Sequence, residues 1–273
     1  MRQILERKLK AEILVNPRWR AFVATSAARI NRSAYRFARL SRRLVRFMNH
    51  HVTSDESDRF VYRQPELHKR IEDVLKRQRK EYPHYSYFYG QPYQALGILG
   101  VFGERSTEER FDDYQIRDKI GPEDRLLDIG CNCGFMCLYT AFRTGCRGHG
   151  IDINPYMVEV GGLCAEYLNL TDKVKLEAID IHEFAESEAY SVVFSFATHW
   201  TDDENYQVPY RQHFEQLNGY LKTGGLLVFE SHANDVGNKE FYTAIEQASD
   251  LFDCELRKDT DNSTRHLYHL RKR

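Results

Sequence analysis

The residues best suited to bind a ligand form one short run, Asp128-Ile-Gly-Cys-Asn-Cys-Gly134, which pairs an acid with two glycines. Gly130 and Gly134 allow backbone dihedrals and a close ligand approach that a Cβ atom would hinder. Their G-x3-G spacing differs from the G-x-G-x2-G spacing that binds dinucleotides. An acid two residues before the first glycine also disfavours a phosphate ligand, because a carboxylate repels it. The run therefore predicts a binding loop for a ligand that is not held by its phosphates.

The elements that must position this loop alternate between strand-like and helix-like patterns from residue 125 onward. Strand-like runs are predicted at 125–129, 147–153, 174–181, 190–197, 226–231, 254–258 and 266–271. Helices are predicted from the loop to about 143, at 155–169, at about 206–221 and at 238–250. Alternating strands and helices form a mainly parallel sheet that binds ligands at the carboxyl ends of its strands. The last two strands fit an antiparallel hairpin.

This pattern predicts the fold class. We expect a doubly wound α/β fold with a mostly parallel seven-stranded sheet and a C-terminal antiparallel hairpin, preceded by a helical N-terminal extension. The predicted segments are a basic helical extension over 1–82, an aromatic linker or lid over 83–124, and the ligand-binding domain over 125–273. Within the first two segments, Pro65 suits the start of a helix over 66–80, and a capping box at 106–109 predicts a short helix carrying Arg110.

Further acids end the next two predicted strands, where a carboxylate that follows a buried strand needs a partner. Asp152 ends the second strand, Asp180 ends the third, and Thr223-Gly-Gly225 precedes the fifth. Together with the acid-x-Gly-x3-Gly run, this ordered series resembles the class I, Rossmann-like S-adenosylmethionine-dependent methyltransferases. The resemblance covers about residues 105–273. It implies S-adenosylmethionine as the cofactor and methyl transfer as the activity.

The resemblance also implies which residues contact the cofactor. Gly130, Cys131 and Gly134 would line its methionine portion, and Asp128 would anchor the loop or the cofactor's amino group. A helix cap is the alternative role for Asp128, and both roles could hold together. The remaining contacts implied by the resemblance are ribose hydroxyls at Asp152 beside Ile153, and the adenine amino group at Asp180 beside Ile181.

Arginines before the core are candidates for a different part of the cofactor. Arg105 or Arg110 could pair with its carboxylate, a charge that Asp128 cannot neutralise. The alternative is that these arginines form surface ion pairs with Glu104, Glu108 or Glu109. Nearby aromatic residues could stack on a sugar or base, or could pack the helical extension against the core; they are Tyr85, Tyr87, Phe88, Tyr89 and Tyr93.

Candidates for catalysis lie after the fourth and fifth strands. His199, in Thr198-His-Trp200, could act as a general base, because an unperturbed histidine pKa of about 6.5 suits proton transfer near neutrality. The alternative is a packed histidine hydrogen-bonded to a loop carbonyl. Glu230 and His232 form a second candidate pair at the end of the fifth strand. Because the Asp/Asn-Pro-Pro-Tyr motif of base-amine methyltransferases is missing after the fourth strand, O-methylation is favoured.

The charge of the chain is divided unevenly. Residues 1–50 hold thirteen Lys and Arg against two acids, a formal charge of about +11, whereas the other 223 residues sum to about −12. Such a basic segment is typical of contact with an anionic membrane surface, RNA or an acidic partner. A helix over 33–48 in this segment could instead form a homodimer interface. The six cysteines lack zinc-site spacing, so we expect reduced thiols and no metal.

Three functional hypotheses remain open from the sequence. The enzyme could methylate a hydroxyl of a saccharide or another small molecule, including a lipid-linked glycan, with its basic segment on a membrane. It could instead modify RNA such as tRNA, or act as a non-catalytic interaction protein through its helical extension. We favour the first hypothesis, because no recognised RNA module precedes the core. No run of about 18 apolar residues and no secretory signal is present, so we expect a cytoplasmic protein, peripheral to the membrane under the first hypothesis.

Overall fold

The structure is a computed structural model that describes residues 64–81, 92–101, 103, 105–199, 208–260 and 265–273. The chain divides into two compact units, Met1–Ser106 and Thr107–Arg273. The basic segment 1–50, the helix predicted over 33–48, and the side chains of Tyr85, Tyr87, Phe88, Tyr89 and Trp200 lie outside the described residues. The segment boundaries at residues 82 and 124 stay predictions.

The described part of the first unit contains one long helix and a small parallel strand pair. Helix α1 (Pro65–Glu81) begins with a proline, which suits the first helical position because an N–H there has no intrahelical partner. Its apolar residues recur every three or four positions and are buried: Leu67, Ile71, Val74 and Leu75. The helix matches the predicted 66–80. Strand β1 (Gln94–Ala95) then pairs in parallel with β2 (Arg105–Ser106).

The second unit begins with helix α2 (Thr107–Asp113), at the position that the capping box predicts. One sheet follows, with seven strands in the described chain: β3 (Arg125–Ile129), β4 (Arg147–Asp152), β5 (Val174–Ala178), β6 (Tyr190–Phe196), β7 (Leu221–Glu230), β8 (Phe252–Asp259) and β9 (His266–Lys272). The helices between them are α3 (Phe135–Thr144), α4 (Pro155–Tyr167), α5 (Tyr210–Tyr220) and α6 (Lys239–Gln247).

The order of the strands locates the ligand-binding edge of the sheet. The order is β5-β4-β3-β6-β7-β9-β8, with β9 antiparallel to both of its neighbours and the other neighbouring pairs parallel. The chain moves outward from β3 to β5 and then returns to β6 on the other side of β3, so the strand order reverses between β3 and β6. Ligands of open α/β sheets bind at such a switch point. The predicted fold class is confirmed.

Two strands differ from their predicted bounds by three residues or more at one end. β5 ends at Ala178 rather than at residue 181, because its partner β4 ends at Asp152, directly opposite Ala178, and no strand of the described residues lies on its other side. β7 begins at Leu221 rather than at residue 226, because Leu221 already pairs with Tyr190 before a register shift. Gly224 lies inside this strand with a φ of 73°, which glycine adopts without a Cβ penalty.

A cluster of aromatic rings holds the β7 side of the sheet. Phe214 of α5, Phe229 of β7, Phe241 of α6 and Tyr268 of β9 are each at most 1% exposed. Their ring centroids lie 5.2 Å apart for Phe214 and Phe229, and 6.2 Å apart for Phe241 and Tyr268. Burial of each large apolar side chain contributes about 1.5–3 kcal/mol to stability.

Among the described residues, no helix has both the length and the apolar composition needed to cross a membrane.

Candidate active site

The glycine loop follows β3 at the switch point and is built from left-handed residues. Gly130, Asn132 and Gly134 have φ values of 61°, 55° and 64°. A Cβ atom on Gly130 would lie 2.7 Å from Thr198 Cγ2, and one on Gly134 would lie 2.6 Å from Leu176 Cδ2. Both glycines are therefore required by backbone conformation and by packing. The same distances place this loop between Thr198, two residues after β6, and the side chain of Leu176 in β5.

Asp152, at the end of β4, ties the loop to the sheet. Its Oδ2 accepts the backbone N–H of Asn132 at 2.7 Å, and its Oδ1 accepts that of Asn154 at 2.9 Å. An ionised carboxylate has about four lone-pair sites, so one such group can accept hydrogen bonds from more than two donors. Asp152 is half-buried, and its predicted contact with ribose hydroxyls stays a prediction that this geometry permits.

The residues predicted for the adenosine portion lie along the β4–β5 edge. Ile153 is 46% exposed, although it is a large apolar residue directly after Asp152. The Asp152 carbonyl accepts the N–H of Ile179, and Asp180 follows in the turn with its Oδ1 accepting the N–H of His182 at 2.8 Å. Asp180 is exposed and Ile181 is half-buried. The structure thus brings the four residues predicted for this portion to one edge of the sheet.

Asp128 is the buried acid of the site. It is 2% exposed, and its carboxylate accepts a hydrogen bond from the backbone N–H of Cys137, in the first turn of α3. Its Oδ2 is buried and has no hydrogen-bond partner among the described residues. Burial, which outweighs the nearby Arg110 guanidinium and the Cys137 N–H, raises the pKa of this carboxyl to about 7. Such an unpaired oxygen beside a glycine loop fits an ammonium group, which is what the amino group of S-adenosylmethionine offers.

Arg110 of α2 reaches the end of β7 rather than the surface acids. Its Nη2 donates to Glu230 Oε2 at 3.0 Å, and Arg265 Nη1 donates to Glu230 Oε1 at 3.3 Å. The Arg110 guanidinium also lies 5.1 Å from the centroid of the Phe196 ring. Glu230 is fully buried, and each of its oxygens accepts from one guanidinium group. It is therefore an ion-pair partner rather than a group placed to accept a proton. Arg105 belongs to the first unit, where its backbone N–H donates to the Tyr93 carbonyl.

His199 lies three residues after the end of β6 and directly follows Thr198, the residue beside Gly130. It is 8% exposed, and its ring stacks on Tyr210 with centroids 4.1 Å apart and planes at 18°. Nε2 lies 2.8 Å from the Val208 carbonyl. Since a carbonyl can only accept, Nε2 carries the hydrogen and Nδ1 is the acceptor atom of the neutral ring. Upstream, Ala197 holds a left-handed φ of 60°, a strain of about 1–2 kcal/mol for a residue with a Cβ.

His232, the other histidine candidate, caps a short 3-10 turn. Its Nδ1 accepts the N–H of Asn234 at 3.1 Å, and its own N–H donates to Asp235 Oδ2 at 2.6 Å. Asp235 is fully buried and accepts the Tyr210 hydroxyl at 2.7 Å on its other oxygen. The sequence does not single out Tyr210 or Asp235, because no local pattern distinguishes them from other tyrosines and acids in predicted helices and turns.

The fold and this site define the class of protein. A doubly wound sheet with a left-handed glycine loop at its switch point and acids ending the neighbouring strands is the arrangement of class I methyltransferases. Residues 120–270 match the family described as "Methyltransferase domain". The chain belongs to this family of S-adenosylmethionine-dependent methyltransferases.

Several curated proteins are similar to part of the chain. One is a probable fatty acid methyltransferase of Mycobacterium tuberculosis, 30% identical over 125 residues, which cover 46% of this chain and 28% of that protein. Another is the geranyl diphosphate 2-C-methyltransferase of Streptomyces lasalocidi, 24% identical over 109 residues, which cover 40% of this chain and 35% of that protein. The matches therefore span about a third of the length of these relatives.

Solved structures share the fold at low sequence identity. The geranyl diphosphate C-methyltransferase from Streptomyces coelicolor A3(2), in complex with Mg2+, geranyl-S-thiolodiphosphate and S-adenosyl-L-homocysteine, has a TM-score of 0.52 and 12% identity and covers 81% of this chain and 99% of that chain. The [4+2]-cyclase SpnF has a TM-score of 0.51 and 13% identity and covers 74% of this chain and 94% of that chain. At these identities the likeness shows the fold alone.

Proposed function

We propose that the protein methylates a hydroxyl oxygen of a saccharide or another small molecule, including a lipid-linked glycan. The observation that carries the proposal is the orientation of His199, whose Nε2–H donates to the Val208 carbonyl and whose Nδ1 is thereby the acceptor. A hydroxyl must lose a proton when its oxygen gains a methyl group, so it requires a base within hydrogen-bond reach. His199 follows the strand next to the glycine loop, which is where such a base would meet the acceptor.

The residues present fit S-adenosylmethionine as the methyl donor. The unpaired Asp128 Oδ2 would receive its ammonium group, Asp152 its ribose hydroxyls and Asp180 its adenine amino group, with Ile153 against the adenine face. When bound, S-adenosylmethionine supplies a methyl group that its sulfonium makes electrophilic.

The chain's own residues have two tasks in the proposed reaction. His199 Nδ1 takes the proton from the acceptor hydroxyl, and the protein aligns that oxygen with the donor, since proximity and orientation provide much of the rate enhancement in bimolecular transfers. Glu230, held at the end of β7 between Arg110 and Arg265, is ion-paired through both oxygens and is not placed to take this proton.

Cofactor binding is tested by calorimetry on Asp152 variants. We expect Asp152→Ala to weaken S-adenosylmethionine binding at least about tenfold, the equivalent of one lost charge-assisted hydrogen bond of about 1.5 kcal/mol. Asp152→Asn keeps one acceptor oxygen for the Asn132 N–H of the loop. Comparing it with Asp152→Ala distinguishes weaker binding caused by a disordered loop from weaker binding caused by a lost ligand contact. Asp172→Ala, an exposed acid before β5, is the matched control and should bind normally. Unchanged affinity in a folded Asp152→Ala protein would contradict the ribose contact.

The acceptor is tested by following the methyl group itself. The protein is incubated with [methyl-13C]-S-adenosylmethionine and glycan or metabolite extracts from a strain that lacks it. We expect the label to appear on oxygen, and His199→Ala to slow transfer about 100-fold or more, the usual worth of a general base, while cofactor affinity is retained. Full activity of His199→Ala would exclude this histidine as the base.

A second candidate function is methylation of carbon in an apolar acceptor. The names of the curated relatives favour it, since they act on fatty acids or geranyl diphosphate. The 13C chemical shift of the transferred methyl distinguishes the two reactions, because an O-methyl carbon resonates far downfield of a C-methyl carbon. A label on carbon would replace the hydroxyl proposal with this one.

A further inference from the structure

A hydrogen-bonded link joins the helix after β6 to the turn after β7. The Tyr210 hydroxyl, at the start of α5, donates to Asp235 Oδ1 at 2.7 Å. Asp235 Oδ2 accepts the His232 backbone N–H at 2.6 Å, and Asn238 Nδ2 donates to the Tyr210 oxygen at 3.2 Å. Two segments that end at the acceptor side of the sheet are therefore held together by a phenol and a carboxylate.

The phenol in this link is also the surface on which His199 rests. The rings of His199 and Tyr210 are nearly parallel, at 18°, with centroids 4.1 Å apart. Stacking sets the plane of the imidazole, and the bond from Nε2 to the Val208 carbonyl sets its rotation within that plane. The Tyr210 ring therefore fixes the plane in which Nδ1 points, and the Val208 carbonyl fixes its direction within that plane.

Packing alone does not require this arrangement. A buried carboxylate such as Asp235 costs several kcal/mol unless its oxygens are satisfied, and a phenylalanine at position 210 would fill the ring's volume without any polar partner. The neighbouring Phe241 packs edge-on against Tyr210 at 5.5 Å with no polar atom. The hydroxyl and the carboxylate therefore do more than fill the core: they fix the ring under His199 and, through the His232 N–H, connect it to the turn after β7.

We propose that Tyr210 and Asp235 are positioning residues for His199, holding its imidazole in the orientation and tautomer that accept a proton. This inference rests on the proposed function, because it presumes that His199 is the base.

The link also has an electrostatic consequence for His199. Donation from the Tyr210 hydroxyl to a carboxylate makes the phenol ring more electron-rich, and a cation stacked on such a face is stabilised. An imidazolium on His199 would meet that face. His213, whose ring packs edge-on at 5.3 Å, does not compete for the proton, because burial and the neighbouring His199 lower its pKa to about 3.

The test is 15N NMR of the full chain labelled at histidine, without cofactor or acceptor, with the His199 signals identified by their loss in His199→Gln. The wild type should show the Nε2–H tautomer. In Tyr210→Phe and in Asp235→Asn, we expect the ratio of this tautomer to the other to fall about fivefold, the equivalent of one neutral hydrogen bond of about 1 kcal/mol.

Tyr139→Phe is the matched control, since it removes a phenol hydroxyl that accepts from Arg143 on α3 and should leave His199 unchanged. A purely structural role would lower the free energy of unfolding in both variants but leave the tautomer ratio of His199 as in the wild type, and that result would overturn the proposal. Tyr210→Phe alone decides the question if Asp235→Asn does not fold. The measurement needs no methyl transfer, so a failure of the proposed reaction is seen separately, in the 13C transfer assay.

Discussion

Three aspartates of the site show how surroundings give one side chain different properties. Asp128 is buried, and burial raises its pKa. Its Oδ2 has no hydrogen-bond partner in the described part of the chain. Asp152 is half-buried and anchored by two backbone N–H groups. Asp180 is exposed and accepts one backbone bond from His182. The residue type is the same, but burial brings the pKa of Asp128 to about 7, so this carboxyl changes protonation near neutral pH.

Cofactor binding should therefore depend on pH through Asp128. Its pKa of about 7 lies above the ordinary value of 3.8, so the carboxyl is largely protonated below pH 6 and ionised above pH 8. An ammonium ligand is attracted only to the ionised form, so S-adenosylmethionine affinity should rise as the pH increases from about 6 to about 7.5, up to tenfold per pH unit. Calorimetry across this range measures the effect.

Asp128→Asn is the comparison for this pH dependence. The variant keeps the shape of the side chain but cannot ionise, so its affinity should be weaker than that of the wild type at pH 7.5 and nearly constant over the same range. If wild type and variant show equal slopes, another group controls binding and the role assigned to Asp128 is wrong.

Short sequence patterns predict the site residues whose role depends on a few consecutive positions. The spacing of Gly130 and Gly134 indicates the loop, since a left-handed turn is a property of a few consecutive residues. The pairing of Arg110 with Glu230 joins residues 120 positions apart, so no short pattern contains it. For the same reason the sequence does not predict the stacking of His199 on Tyr210, because it depends on how α5 packs beside β6.

At the scale of elements, the glycine loop after β3 packs closely against Leu176 of β5 and against Thr198, which follows β6. Strands β3, β4 and β6 lie within a residue or so of their predicted bounds, because apolar runs mark strands buried on both sides. β5 and β7 differ from prediction at the ends where a partner strand stops or a register shift begins. Pairing of this kind is a tertiary property that the chain pattern does not encode.

A methyl group at Gly134 should disrupt this contact. Gly134→Ala combines a left-handed φ with a Cβ 2.6 Å from Leu176 Cδ2, so we expect a loss of several kcal/mol in the free energy of unfolding, from about 1–2 for the backbone and about 1–3 for overpacking. Urea denaturation measures the change.

Gly162→Ala is the matched control for this substitution. Gly162 lies in α4 with no atom of the described residues within 4 Å of an added Cβ, so alanine there should raise stability by about 0.5–1 kcal/mol. Adding Leu176→Ala to Gly134→Ala should return part of the loss, because it removes the clashing atom. Equal effects at positions 134 and 162 would show that the contact with Leu176 does not constrain the loop.

At the scale of the whole molecule, the chain separates a basic segment from an acidic remainder. Residues 1–50 carry about +11 and the other 223 residues about −12. We propose that this segment contacts an anionic membrane surface, which would bring the enzyme to a lipid-linked acceptor. RNA binding and homodimer formation are the alternatives.

Vesicle sedimentation tests the membrane contact. The full chain should sediment with vesicles that contain anionic lipid and not with neutral vesicles, and binding should disappear near 1 M salt, where the Debye length is about 3 Å. Changing Arg42, Arg43 and Arg46 to Gln should weaken binding, at about 1 kcal/mol for each charge. A salt-sensitive shift with tRNA, without vesicle binding, would support the RNA alternative instead.

The position of β9 between β7 and β8 determines when the described sheet can be completed during synthesis. β7 pairs with β9, as in Leu226 with Arg271, and β8 joins the sheet only through β9 in the described part of the chain. While the ribosome is still making residues 231–265, the outer edge of β7 therefore has no partner strand from β9. Unpaired strand edges of this kind can pair with other chains and cause aggregation. Glu230 likewise gains its ion pair with Arg265 only after the segment before β9 has been made, so the end of β7 completes this charge pairing later than the strands up to β8.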